Sequence, residues 1–397
     1  MPKRIVLCFD GTWNTPSENF SGLSELHAKF AKLADLDDAE MRAAIEHVDQ
    51  NAGVETNVCR LYRSVLRLEG VQPAGELGQV KWYDKGVGTN WYDRIAGGAF
   101  GLGLSQKIRE GYKFLSDTYD GGDEVFAFGF SRGAYTARSF VGMIRNCGLL
   151  PKGKSGNGPD SPELLEAYEL YRARDDGPDS ERARHFRAEK DSRIIPIKLL
   201  GVWDTVGALG IPLESFAAFN RAQFEFHDTE LSGIVENAYH AIAVDEHREP
   251  YKATLWDPKR KLNQTMEQRW FVGPHADVGG GYPSRTLSDM ALRWMQKSAQ
   301  HCGLLLDETG IPSVSDDNAT GLMADSFKAF LDGFFSLFHK RYYRPVCMAE
   351  FGNEIVDNCV SLRMKAIMTY RPPNTGLTKA LEESLGMGTQ STARGGQ

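Results

Sequence analysis

No apolar run in this 397-residue chain approaches the roughly 20 residues that cross a bilayer as a helix. After Lys3 and Arg4, only Ile5 to Phe9 are apolar before Asp10, short of the roughly 7–15 apolar residues of a secretory leader. A cytoplasmic protein is therefore expected, with any export left to a specialised secretion machinery. Cysteine is sparse: Cys8, Cys59, Cys147, Cys302, Cys347 and Cys359 form no CxxC pair, so neither a disulfide framework nor a thiolate metal site is expected. Basic residues are outnumbered, 46 Lys and Arg against 53 Asp and Glu, and the net charge of −7 argues against a nucleic-acid partner. The glycine-rich stretch 97–103 lacks both G-x-G-x-x-G spacing after a strand and a Lys-Ser/Thr pair, so no phosphate cradle is expected. What remains, 41% hydrophobic and 25% charged, is ordinary globular composition.

The chain is organised around residues 123–133. Val125 to Phe128 form a short apolar run that reads as a buried strand, and it leads into Gly129-Phe130-Ser131-Arg132-Gly133. This G-x-S-x-G pattern suits a sharp strand-to-helix turn, where a side chain at either glycine would collide with its neighbours and the serine hydroxyl is thrust outward. Small and apolar residues at helical spacing follow from Ala134 to Ile144, which sets Ser131 at a helix N-terminus. Amides there favour a developing oxyanion, and the Arg132 amide is the first candidate donor.

Two further strand ends carry polar residues. The apolar run ending Leu199-Leu200-Gly201-Val202-Trp203 stops at Asp204, and Arg269-Trp270-Phe271-Val272 runs into a glycine-flanked loop with His275. Open parallel sheets place ligand chemistry at that edge. A serine hydroxyl is a poor nucleophile near neutral pH; an imidazole must take its proton, and a carboxylate must fix the imidazole's tautomer. Ser131, His275 and Asp204 meet that demand, in the chain order serine, acid, histidine of α/β-hydrolases. His240, which interrupts an apolar run, reads as a packing histidine; His247, among charges, reads as solvated. Asp277 is the rival acid, better suited to ordering a loop.

The first strand, Ile5 to Phe9, ends in Asp10-Gly11-Thr12. Haloacid dehalogenase-like phosphotransferases share the strand and DGT, but their nucleophilic aspartate would stand where this chain has Cys8. The other use of such a loop is a second oxyanion amide, from Gly11 or Thr12. Residues 56–66 and 104–119 have amphipathic helical spacing, and Val80 to Tyr83 a short strand. Residues 16–50 and 151–192 are polar insertions expected to form a cap. Aromatic stripes at 216–226 and 327–338 read as core, or as an acyl-chain groove or lipid-facing surface.

Together, Cys8-Phe9-Asp10-Gly11-Thr12-Trp13-Asn14, Gly129-Phe130-Ser131-Arg132-Gly133-Ala134-Tyr135, Gly201-Val202-Trp203-Asp204-Thr205-Val206-Gly207 and His275-Ala276-Asp277-Val278-Gly279-Gly280-Gly281-Tyr282 resemble an α/β-hydrolase family. It includes the phospholipase effectors of bacterial type VI secretion, lipase effector family one. The resemblance spans most of residues 4–285. It implies a serine esterase with Ser131, Asp204 and His275 as triad, no cofactor, and a small-molecule or lipid ester as substrate, with peripheral membrane contact where the ester is a phospholipid. The expectation is one α/β-hydrolase domain over 1–385, a mostly parallel sheet flanked by helices, with a helical extension at 298–385 and a disordered tail at 386–397. The competing expectation is a binding or assembly protein that keeps the fold without the chemistry, in which the three side chains would fail to converge.

Overall fold

The computed structural model describes residues 2–11, 55–68, 77–85, 100–173, 176–206, 230–258, 261–329, 336–337, 339–348 and 353–384. Thr12, the insertion at 16–50, the aromatic stripe at 216–226, most of that at 327–338 and the tail lie outside these. The core of the fold is a seven-stranded sheet in the order β2-β1-β3-β4-β5-β6-β7. Its strands are β1 Lys3–Phe9, β2 Gly78–Asp84, β3 Glu124–Phe130, β4 Ile197–Trp203, β5 Val235–Ala243, β6 Thr265–Phe271 and β7 Glu354–Val356. All six pairings are parallel.

A parallel sheet must be covered on both faces, which is why β1, β3 and β4 read as near-continuous apolar runs. In β1 the two-residue alternation separates two cores: Ile5, Leu7 and Phe9 join one cluster, Val6 and Cys8 the other. The first face is covered by α2 (Phe100–Thr118), α3 (Arg132–Cys147), α4 (Pro162–Arg172) and α5 (Glu181–Glu189). The second is covered by α1 (Asn57–Ser64) and α7 (Ser288–His301), with the short α6 (His275–Gly279) beside them. Thr56 starts α1 as its cap, accepting the Cys59 amide at 3.1 Å.

The segment 151–192, expected as a cap, supplies α4 and α5; Leu164, Ala167, Leu170 and Phe186 are buried in the same cluster as the inner face of α3. The region from 298 is not only helical. Besides α8 (Asn358–Ala366) and α9 (Leu377–Ser384) it contributes β7, so it completes the sheet. Three residues are too few for a periodic signal, and Glu354 at its start hides the strand further.

Candidate functional site

Ser131 follows β3 directly, Asp204 follows β4, and His275 begins α6 a short turn after β6. Parallel neighbours in register therefore end side by side, and the three residues meet at one rim of the sheet. Ser131 holds φ 57° and ψ −120°, and its amide donates to the Trp203 carbonyl at 3.0 Å. Asp204 also has positive φ, 37°, while its amide donates to the Ala241 carbonyl at 2.7 Å. Such backbone persists only where the surroundings dictate it. The glycines explain how they do so. A Cβ on Gly133 would lie 2.1 Å from the Phe9 carbonyl oxygen, and one on Gly129 would lie 2.4 Å from the Gly133 carbonyl oxygen. Strand β1, strand β3 and helix α3 thus approach to backbone contact around Ser131.

His275 is buried, and both its nitrogens are engaged. Nδ1 lies 2.5 Å from Asp204 Oδ2 and Nε2 lies 2.8 Å from Ser131 Oγ. With Asp204 ionised, Nδ1 carries the hydrogen and Nε2 faces the serine as acceptor. Phe130 and Tyr251 rings pack on the imidazole, at 4.6 and 5.2 Å between centroids. Burial is the largest influence on His275 and lowers its pKa below 6.5, against the upward pull of Asp204 and Glu246. A neutral imidazole able to accept a proton is the result.

Burial alone would raise the pKa of Asp204, but the Arg344 guanidinium and His275 outweigh it and hold the carboxyl well below the usual range. Arg344, 2% exposed, donates from Nη1 to Asp204 Oδ1 at 2.6 Å and from Nη2 to Oδ2 at 3.1 Å. A second buried pair stands behind the histidine. Glu246 takes the Arg248 guanidinium at 2.8 Å through both its oxygens, and its Oε2 also accepts the His275 amide at 3.3 Å and the Ser326 hydroxyl at 3.1 Å. Sequence reasoning missed Arg344, Glu246 and Arg248. For Arg344 the signal was a lone charge inside Tyr342-Tyr343-Arg344-Pro345-Val346, since arginine enters apolar surroundings only when paired.

The remaining candidates fall as follows. Arg132 opens α3 with its amide beside Ser131 in the chain. Gly11 departs from its expected role: its amide donates to its neighbour's carboxylate, Asp10 Oδ1, at 2.7 Å, so that hydrogen is already spoken for. What Gly11 provides is proximity, since a Cβ there would sit 3.2 Å from Ser131 Cβ. Asp10 is buried and raised to about 6 by that burial, against hydrogen bonds from Thr56 Oγ1 at 2.6 Å and the Tyr83 hydroxyl at 2.5 Å. His240 is a packing histidine; its Nε2 accepts the Thr205 amide at 3.1 Å, and burial lowers its pKa to about 3. His247 Nδ1 donates to the Tyr342 carbonyl at 3.0 Å. Asp277 accepts the Ala324 amide at 2.9 Å. Among the described residues, no cluster of His, Cys, Asp and Glu could hold a metal ion, and no helix is long and apolar enough to cross a membrane.

Residues 3–298 match the family model described as type VI secretion phospholipase effector Tle1-like, catalytic domain. The uncharacterized protein YEL023C of Saccharomyces cerevisiae is 26% identical over 277 residues, 64% of this chain and 33% of the yeast protein. This chain thus spans about a third of the length of that curated relative. Among solved structures, similarity extends to a Tle1 effector bound to the VgrG spike of the type 6 secretion system, with TM-score 0.44 and 14% identity over 96% of this chain and 82% of that one. It extends also to an uncharacterized protein from Pseudomonas aeruginosa, with TM-score 0.37 and 15% identity over 85% and 51% of the two chains.

Proposed function

Since this chain belongs to the Tle1-like phospholipase effector family through its catalytic domain, we propose that it hydrolyses carboxylic esters of lipids, phospholipids included, by way of an acyl-enzyme on Ser131. The observation that carries this reading is the unbroken line from Asp204 through His275 to Ser131, with contacts of 2.5 and 2.8 Å on the two imidazole nitrogens.

Ser131 Oγ attacks the ester carbonyl carbon while its proton passes to His275 Nε2, and the carbonyl electrons move to oxygen. Asp204 holds Nδ1–H and stabilises the imidazolium so formed. The Arg132 amide, at the positive end of the 16-residue α3, is the oxyanion donor retained by this reading. Thr12 is the candidate for the second. When the intermediate collapses, the carbonyl re-forms, the C–O bond to the alcohol breaks, and His275 gives its proton to the departing oxygen. Water then repeats the sequence on the acyl-serine. It yields its proton to His275, releases the fatty acid and returns the proton to Ser131. No step requires a cofactor.

Convergence of the three side chains favours hydrolysis over the alternative of a binding protein with an idle hydrolase fold. The test is fluorophosphonate labelling alongside turnover of p-nitrophenyl esters of rising chain length and of phospholipid vesicles. An adduct on Ser131, and loss of both labelling and turnover in Ser131→Ala, are expected. Unchanged turnover in Ser131→Ala refutes the reading.

A further inference from the structure

We propose that Arg344 is a positioning residue for this reaction, a guanidinium clamp that fixes the Asp204 carboxylate so that one oxygen is presented to His275. The inference rests on the hydrolase reading above and assigns a role to a residue outside the matched segment 3–298.

The Asp204 carboxylate is fully buried, so both of its oxygens need partners. Oδ1 accepts the Ala243 amide at 3.0 Å and Arg344 Nη1 at 2.6 Å; Oδ2 accepts Arg344 Nη2 at 3.1 Å and faces His275 Nδ1 at 2.5 Å. The guanidinium is itself fixed from outside this pair. Nη1 also donates to the Ala243 carbonyl at 2.9 Å and Nη2 to the Tyr251 carbonyl at 2.5 Å. Two parallel bonds to the carboxylate and two to main-chain carbonyls define the plane of the fork, and lysine, a single point of charge, cannot reproduce it. The backbone at residue 344 is tied down in turn. Asn374 Nδ2 bridges the Arg344 carbonyl at 2.9 Å and the Val244 carbonyl at 3.1 Å, which anchors the clamp to the end of β5.

The charge matters as well as the geometry. Without Arg344 the buried carboxylate would have only the imidazole and the Ala243 amide to offset burial, and protonation would strip it of the charge that stabilises the imidazolium. If it stayed ionised, its undivided field would stabilise the imidazolium. Both routes make His275 lose its function as a base at higher pH. The charged groups around His275 are Asp204 at the end of β4 and Glu246 with Arg248 beyond β5; Arg344 stands behind Asp204, and His240 on β5 is held neutral. A purely structural arginine would lower stability without moving the acid limb of the pH profile.

Full-length Arg344→Met and Arg344→Lys are compared with wild type on p-nitrophenyl butyrate, with rates normalised to sites titrated by fluorophosphonate. Expected for the methionine variant is a loss of kcat on the order of 10²-fold, typical of a small misplacement of a reacting group, with KM little changed. The acid limb of kcat/KM moves to higher pH, lysine recovers part of the loss, and added guanidinium restores part of the activity of Arg344→Ala. Wild-type kcat per titrated site together with an unmoved acid limb, in whichever variant folds, overturns the clamp. Ser131→Ala is run beside them. If it keeps wild-type turnover, the hydrolase reading falls and the clamp with it; if it is inactive while the Arg344 variants are normal, only the clamp falls.

Discussion

Replacing Gly133 by alanine adds one methyl group where this glycine lies against the backbone of the first strand. Helix propensity alone predicts a gain of about 1 kcal/mol, because Gly133 lies inside α3. Opposed to it, the new Cβ would stand 2.1 Å from the Phe9 carbonyl oxygen and 2.7 Å from the carbonyl carbons of Phe9 and Asp10. These are main-chain atoms at the end of β1 and of the residue after it; β1 is hydrogen-bonded on both sides, to β2 and β3, and main chain has no rotamer by which to yield. Overpacking of this kind costs up to about 3 kcal/mol. The clash therefore wins, leaving a net loss of about 2 kcal/mol. Because β1 and α3 must part to admit the methyl, Ser131 moves relative to His275, and turnover should fall on the order of 10²-fold. Urea unfolding midpoints and ester turnover measure the two effects. Gly158→Ala is the control, as its added Cβ meets nothing within 4 Å. It should raise stability by about 0.4–1 kcal/mol and leave turnover alone. A Gly133→Ala protein as stable and as active as wild type would refute the reasoning.

Two other substitutions probe the supports of His275. Asn57 is buried and its Nδ2 donates to the carbonyls of Val278 and Ser288, both at 2.9 Å, so it ties α1 to α6 and the start of α7. Asn57→Ala should cost about 1–3 kcal/mol by urea unfolding, because the Val278 and Ser288 carbonyls each lose a buried hydrogen bond and the tie from α1 to α6 and α7 is cut. Burial lifts Asp277 to about 7. Its folded pKa thus lies above the ordinary 3.8, so its contribution to stability is complete below that value and is lost as pH rises through about 7. In Asp277→Asn, which can still accept the Ala324 amide, the fall in urea midpoint from pH 5 to pH 8 should shrink; an identical fall would contradict the assignment.

The parts of the site legible in the sequence are those whose signal is local. Ser131, Asp204 and His275 each stand just past an apolar run, where strand ends and turn chemistry coincide within a few residues, and the glycines at 129 and 133 mark close backbone approach. Arg344 escaped because its partner is 140 residues away and no periodicity surrounds it. β5 was obscured by Glu236 and Asn237 near its start and by His240, whose burial becomes tolerable only once the Thr205 amide is in place. The Gly11 amide illustrates a different limit: whether an N–H faces a site or its own neighbour's carboxylate is decided by backbone angles that composition does not encode.

Ser131 and His275 are separated by 144 residues, and Asp204 and Arg344 by 140. During translation the hydroxyl therefore leaves the ribosome long before its imidazole, and the imidazole before the arginine that steadies its acid. Every nascent fragment that ends before residue 275 carries a serine with no imidazole to take its proton. The proposed line of proton transfer thus closes only after translation has passed residue 275.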